Sequence, residues 1–148
     1  MVNGRILLVE DEDDLARLFE YALTRRGHRV RRAKDAAAGL KSFRQWKPDL
    51  ILLDVVLPGM SGHELLELIR RESAVCVLMI SGQRSPASVA QGLKLGANGS
   101  LLKPFSLDEL CGRVALELAR APVASRGALK KPVVASRRRA RPRPAPAG

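Results

Sequence analysis

The chain has 148 residues, 46% of them hydrophobic, and a formal net charge of +11, which suits one ordinary domain with a core plus an appendage. No apolar run approaches the roughly 18 residues of a membrane span, and the acids after "MVNGRILLV" come too soon for a secretion signal. Cys76 and Cys111 sit singly in apolar runs without metal-type spacing, so ordinary buried thiols in a reducing cytoplasm are expected.

The first apolar run, "RILLV" at 5–9, has no polar alternation and reads as a strand covered on both faces. It runs straight into five consecutive carboxylates, Glu10 to Asp14. A helix follows over 14–26, with Leu15, Leu18, Phe19 and Ala22 on one face and Gly27 as its stop. "HRVRRA" at 28–33 alternates and is expected at a sheet edge. Asp35 caps a helix reaching about Gln45, which Pro48 closes off. "DLILLD" (49–54) is the next strand, and a helix at about 62–72 follows the turn "LPGMSG". "AVCVLMIS" (74–81) is a fourth strand. "SP" at 85–86 reads as a cap and first turn leading to Leu95. "SLLK" (100–103) is the fifth strand. "SLDE" at 106–109 has the capping-box pattern, with Leu107, Leu110, Cys111, Val114 and Leu118 on one helix face.

Nine of the 26 Lys and Arg fall from Arg120 onward, where no acid occurs; the preceding 119 residues hold 17 basic and 15 acidic side chains. That C-terminal stretch, rich in Pro, Ala and Arg and without an aromatic, cannot offset its ordering entropy and is expected to be a disordered tail over 121–148. The domain is placed at 3–120. Five strands alternating with five helices predict an open, doubly wound α/β sheet, whose sites gather at the carboxyl ends of the strands.

Those ends bring Glu10 and Asp11, Asp54, Ser81 and Lys103 toward one another. Three carboxylates and one ammonium sum to −2, which a divalent cation neutralises. Oxygen ligands with room for water suit Mg²⁺. Glu10 and Asp11 are then metal holders, while Glu12, Asp13 and Asp14 begin the first helix, where its dipole favours acids. Asp54, beside a metal and a lysine, is placed to attack phosphorus and become an acyl phosphate. The added charge would draw in a donor, for which the Ser81 hydroxyl is the candidate.

"ILLVEDE", "PDLILLDVVLPGMSG", "VLMISG" and "GANGSLLKPFSLDEL" resemble, in order and spacing, the receiver domains of bacterial two-component response regulators over about residues 3–120. The resemblance implies a flavodoxin-like sheet of order 2-1-3-4-5 and phosphorylation of Asp54 by a histidine kinase or phosphotransfer protein. It also implies Mg²⁺ held through Glu10, Asp11 and Asp54, with Ser81 as switch hydroxyl and Lys103 as the family's lysine. The Lys103–Pro104 bond is implied to be cis, an isomer proline makes accessible.

Three positions depart from the family pattern. Ser100 stands where a ring is usual, Gly82 where Ala is common, and the stretch from Asp54 to Ser81 is a few residues shorter, most simply in "RRESAV". A serine cannot fill the slot into which the family's ring turns, so signal transmission is the property it puts in question. His28 and His63 are expected as surface or packing residues, and "LPGMSG" and "LGANG" lack the spacing of a phosphate-binding loop. Too few residues follow the domain for a winged-helix output module. The expectation is a cytoplasmic single-domain response regulator, not an enzyme, that signals by phosphorylation-dependent binding to another protein. Two alternatives stand beside it: a receiver-fold interaction module independent of phosphorylation, and a regulator that associates with nucleic acid through its basic tail. Contact of that tail with nucleic acid or an acidic partner would be weak, sequence-blind and salt-sensitive.

Overall fold

The computed structural model describes residues 3–82 and 86–120. Strands β1 (Arg5–Val9), β2 (Arg29–Ala33), β3 (Leu50–Asp54), β4 (Cys76–Ser81) and β5 (Gly99–Leu102) alternate with helices α1 (Asp13–Arg25), α2 (Ala36–Trp46), α3 (Gly62–Arg70), α4 (Pro86–Lys94) and α5 (Leu107–Arg120). The strands form one parallel sheet in the order β2-β1-β3-β4-β5, the expected flavodoxin-like arrangement. Parallel strands need crossover connections, and each is supplied here by a helix. The expected tail lies outside the described residues.

Uniform apolarity has its reason in the packing. Every residue of β3 and β4 is buried, because helices cover both sheet faces. Side chains alternate between two cores. Ile6, Leu8, Leu52 and Leu78 meet Phe19, Leu23, Val114 and Leu118 on the side of α1 and α5. Leu7, Val9, Ile51, Leu53 and Val77 meet Phe43, Leu65 and Ile69 on the side of α2 and α3. Leu52 is wholly buried, and cutting it to Ala would cost about 2–5 kcal/mol.

The helix punctuation is local chemistry. An Asp35 carboxylate oxygen accepts the Ala38 N–H at 2.8 Å. Lys47 takes a left-handed conformation (φ 52°) between α2 and Pro48, and Gly27 (φ 94°) turns the chain after α1. Ser106 and Glu109 form the expected capping box, each side chain accepting from the other's backbone N–H, and Ser61 with Glu64 forms a second. Ser85 of the expected α4 cap lies outside the described residues.

One expectation fails on α1. Leu18 is 51% exposed, whereas Ala16 and Leu23 are buried with Phe19 and Ala22. At about 100° per residue the buried arc centres between Phe19 and Leu23, and Leu18 falls on its solvent side. Both histidines are buried packing residues: His28 Nδ1 accepts the Gly4 N–H at 3.1 Å, and His63 Nε2 lies 3.1 Å from the Ser88 carbonyl oxygen. Cys76 and Cys111 are free, buried thiols, and burial pushes that of Cys76 up to about 12.

Candidate functional site

Parallel strands direct their carboxyl ends to one edge of the sheet, so residues far apart in sequence meet there. Glu10 and Asp11 leave β1, Asp54 ends β3 and Lys103 follows β5. Together with Glu12, Val56 and Gly82 they line a cleft of about 320 Å³. Glu10 and Asp54 are buried while Asp11 is exposed, so the acidic cluster is walled on one side and open to water on the other.

Backbone geometry holds each group in place. The Glu10 N–H donates to Ala33 O at 3.1 Å, and Arg32 of β2 donates through Nε to Glu10 O at 2.9 Å and through Nη1 to Asp13 Oδ1 at 2.8 Å. The Glu12 N–H donates to Glu10 Oε2 at 3.2 Å. Asp54 is held at both oxygens: Oδ1 accepts the Val56 N–H at 2.9 Å, and Oδ2 accepts Lys103 Nζ at 3.0 Å. Behind it, the Gly62 N–H donates to Val55 O at 2.8 Å. A Cβ at Gly62 would stand 2.1 Å from Asp54 O, closer than any side chain tolerates, so the start of α3 needs glycine to approach the strand end.

Lys103 Nζ also lies 3.7 Å from Glu10 Oε1, a buried oxygen with no hydrogen-bond partner among the described residues. Burial, then the neighbouring Asp54 carboxylate, pushes Glu10 up to about 7 against the pull of Lys103. For Lys103, burial works to lower the ammonium, but its hydrogen bond to Asp54 and the charges of Asp54 and Glu10 outweigh this and raise it.

Oxygens of Glu10, Asp11 and Asp54 lie within 4.8 Å of one another. Three hard donors, an orphaned buried carboxylate oxygen and an open side form a donor set suited to a small divalent cation that keeps part of its water. Ser81, at the end of β4, is buried and does not line the cleft among the described residues. Its carbonyl accepts the Lys103 N–H at 2.8 Å, which fixes the lysine's strand beside it. Ser100 is half-buried on β5, opposite Met79. The Lys103–Pro104 bond is cis.

Three contributors were not legible as site residues: Arg32, the Val56 N–H and Gly62. For Arg32 a signal existed, since strand alternation puts it out of phase with Arg29 and Arg31. For the other two there was none, because both depend on how the chain folds back after β3.

Residues 6–115 match the response regulator receiver domain family. Among curated proteins the chain is similar to the uncharacterized transcriptional regulatory protein YrkP of Bacillus subtilis, 40% identical over 116 residues, 78% of this chain and 50% of that protein. It is also similar to the DNA-binding response regulator MtrA of Mycolicibacterium smegmatis, 35% identical over 119 residues, 80% and 52% of the two. The chain spans about half the length of these relatives. Among solved structures it resembles the receiver domain of the Francisella response regulator 1452, with TM-score 0.75 and 28% identity over 80% of this chain and 98% of that one. A response regulator receiver domain protein from Methanospirillum hungatei gives TM-score 0.74 and 28% identity over 80% and 95%. Matching over most of its described length in sequence and in backbone, the chain belongs to the response regulator receiver family, the phosphorylatable signalling modules of two-component systems.

Proposed function

We propose that Asp54 accepts a phosphoryl group from a histidine kinase or phosphotransfer protein, and that the phosphorylated domain signals by binding another protein. The observation that carries this is the setting of Asp54: a buried carboxylate with one oxygen on a backbone N–H and the other on Lys103 Nζ at 3.0 Å, beside two further acids.

Glu10, Asp11 and Asp54 would hold Mg²⁺, which supplies charge neutralisation for the phosphoryl oxygens when bound. An Asp54 oxygen forms the new P–O bond while the donor's P–N bond breaks, and the leaving imidazole nitrogen retains the electron pair and takes up a proton. Lys103 already points its ammonium at Asp54 and can stabilise charge on the transferred group. Phosphorylation adds about one negative charge to a buried spot. The Ser81 hydroxyl and Lys103 are the groups assigned to answer it, the hydroxyl by rotating toward the new oxygens.

Output would pass to the surface of α4, β5 and α5, where Leu93, Leu102 and Leu116 are exposed. With Ser100 in place of a ring, this face receives the signal without an aromatic rotor. That position alone favours the alternative of a phosphorylation-independent interaction module. None of the described helices is long and apolar enough to cross a membrane.

The test is incubation with a small acyl-phosphate donor, with and without Mg²⁺, followed by intact-mass measurement beside Asp54→Ala. One phosphoryl gained only with Mg²⁺ and only in the parent chain supports the reading. No adduct, with Mg²⁺ binding demonstrated and rapid hydrolysis excluded, favours the constitutive module.

A further inference from the structure

The opposite rim of the sheet carries a different chemistry. Half of the twelve arginines among the described residues are ion-paired: Arg17 with Asp14, Arg26 with Asp108, Arg32 with Asp13, Arg44 with Glu72, and Arg113 and Arg120 with Glu117. Arg5, Arg29, Arg31 and Lys47 have no carboxylate partner among the described residues, and they lie together.

Arg5 and Arg29 are direct neighbours across β1 and β2 and line one cleft of about 280 Å³ at the amino ends of these strands. Arg31 follows on the same exposed face of β2, which is an outer strand of the sheet. Trp46, at the end of α2, lies between two guanidiniums, 4.9 Å from that of Arg31 and 6.0 Å from that of Arg5. Arg5 Nη2 donates to the Lys47 backbone carbonyl at 2.8 Å, so the chain at Lys47, next to Trp46, adjoins the cluster. The one carboxylate lining the cleft, Asp49, accepts the Arg5 backbone N–H at 2.8 Å and forms no ion pair with these cations. Arg5 Nε is buried with no hydrogen-bond partner among the described residues.

We propose that this rim, Arg5, Arg29, Arg31 and Lys47 around Trp46, is a docking surface for the phosphodiester backbone of nucleic acid. Four basic residues against the single nearby carboxylate of Asp49 leave an excess of positive charge, and a polyanion relieves that excess while releasing its condensed counterions. Trp46 holds two of the guanidiniums over its faces, so the charges are positioned before a ligand arrives. An anionic lipid surface is the less suitable partner, because the cluster offers no exposed apolar side chain to insert among lipids: Trp46 is half-buried beneath its arginines. The sequence beyond Arg120 adds eight further Lys and Arg and no acid. The end of α5 lies near the same rim, since Leu118 is the side chain that a Cβ on Gly4, next to Arg5, would meet.

Trp46 is the only tryptophan of the chain, so its emission reports occupancy of this surface and of no other. The full chain is titrated with a fluorescein-labelled 20-bp duplex over a salt series, following anisotropy and Trp46 emission together, beside Arg29→Gln/Arg31→Gln and Arg29→Lys/Arg31→Lys. The expected result is a Trp46 change with the same midpoint as the anisotropy. The glutamine pair should weaken binding about tenfold and lower the slope of log K on log salt by about 2, and the lysine pair should restore most of both. A flat Trp46 signal through saturation, or an unchanged slope in the glutamine pair, would overturn the proposal in favour of the tail alone. Absence of duplex binding at low salt would also overturn it, as would binding only to phosphatidylserine-containing vesicles. If the glutamine pair does not fold, judged by circular dichroism, the Trp46 signal of the parent chain and the lysine pair still decide.

Discussion

Lys103 Nζ donates to Asp54 Oδ2 at 3.0 Å, and the same ammonium is 3.7 Å from Glu10 Oε1. One cation thus serves two buried carboxylates, and it opposes the binding of a second cation while favouring the arrival of a phosphoryl anion. These two effects have opposite signs and can be separated. Lys103→Met should raise Mg²⁺ affinity about three- to tenfold, by removing a nearby positive charge. It should also slow phosphoryl uptake at Asp54 on the order of 100-fold, by removing a group that stabilises transferred charge. Calorimetric Mg²⁺ titration and intact-mass time courses measure the two quantities. A fall in both would show that Lys103 chiefly holds the site together.

Glu10 carries a stability prediction. Its carboxyl is pushed from 4.5 up to about 7, first by burial and then by Asp54. Between those values the folded state holds a proton that the unfolded chain has released, so the Glu10 contribution to metal-free stability falls as pH rises through the window. Glu10→Gln removes the penalty. In EDTA it should be more stable than the parent by about 1–3 kcal/mol at pH 8, with the difference closing by pH 5. In Mg²⁺ the parent should gain stability that the variant lacks. Urea unfolding at the two pH values checks this, and a pH-independent difference would count against it.

How far the sequence disclosed this site follows from what each residue depends on. Glu10, Asp11, Asp54 and Lys103 were legible because each terminates or follows an apolar run, and a parallel sheet delivers such ends to one edge. The strands were legible for the same reason: "RILLV" is β1 residue for residue, and the other four lie within two residues of their expected limits. Leu18 misled because an apolar residue at the flank of a stripe looks like one at its centre. Arg29, Arg31 and Arg32 look alike in sequence, yet Arg31 lies over Trp46 and Arg29 lines the adjoining cleft, while the third reaches the Glu10 carbonyl. Only the phase of the strand separates them. Gly62 and the Gly4–His28 bond depend on chain segments meeting in space, which no local pattern encodes.

Gly62 is the clearest of these. Its backbone starts α3 so close to Asp54 that a Cβ would stand 2.1 Å from Asp54 O and 2.9 Å from Val55 Cα. Both are backbone atoms that cannot step aside as a flexible side chain would. Gly62→Ala should therefore cost about 1–3 kcal/mol through overpacking and shift the 54–56 turn that points the Val56 N–H at Asp54. The expected outcome is a lower urea midpoint together with slower phosphoryl uptake. Full uptake in a destabilised variant would show that the turn absorbs the displacement elsewhere.

His28 works in the opposite direction from Glu10. The buried imidazole uses Nδ1 to accept the Gly4 N–H at 3.1 Å, and burial, followed by the charge of Arg26, lowers its pKa from 6.5. A proton added to Nδ1 would face the Gly4 N–H donor, so the folded state resists protonation while the unfolded chain accepts it. Stability attributable to His28 is complete above 6.5 and is lost as pH falls below it, at no more than about 1.4 kcal/mol per pH unit. Over the same acid range Glu10 gains its proton in the folded state and adds stability, which opposes the His28 loss in the parent chain in EDTA. Glu10→Gln should expose a clear loss of stability on acidification from pH 7 to pH 5. Adding His28→Asn, whose side-chain oxygen can still accept from Gly4, should flatten that loss. Persistence of the acid loss in the double variant would assign it to a different group.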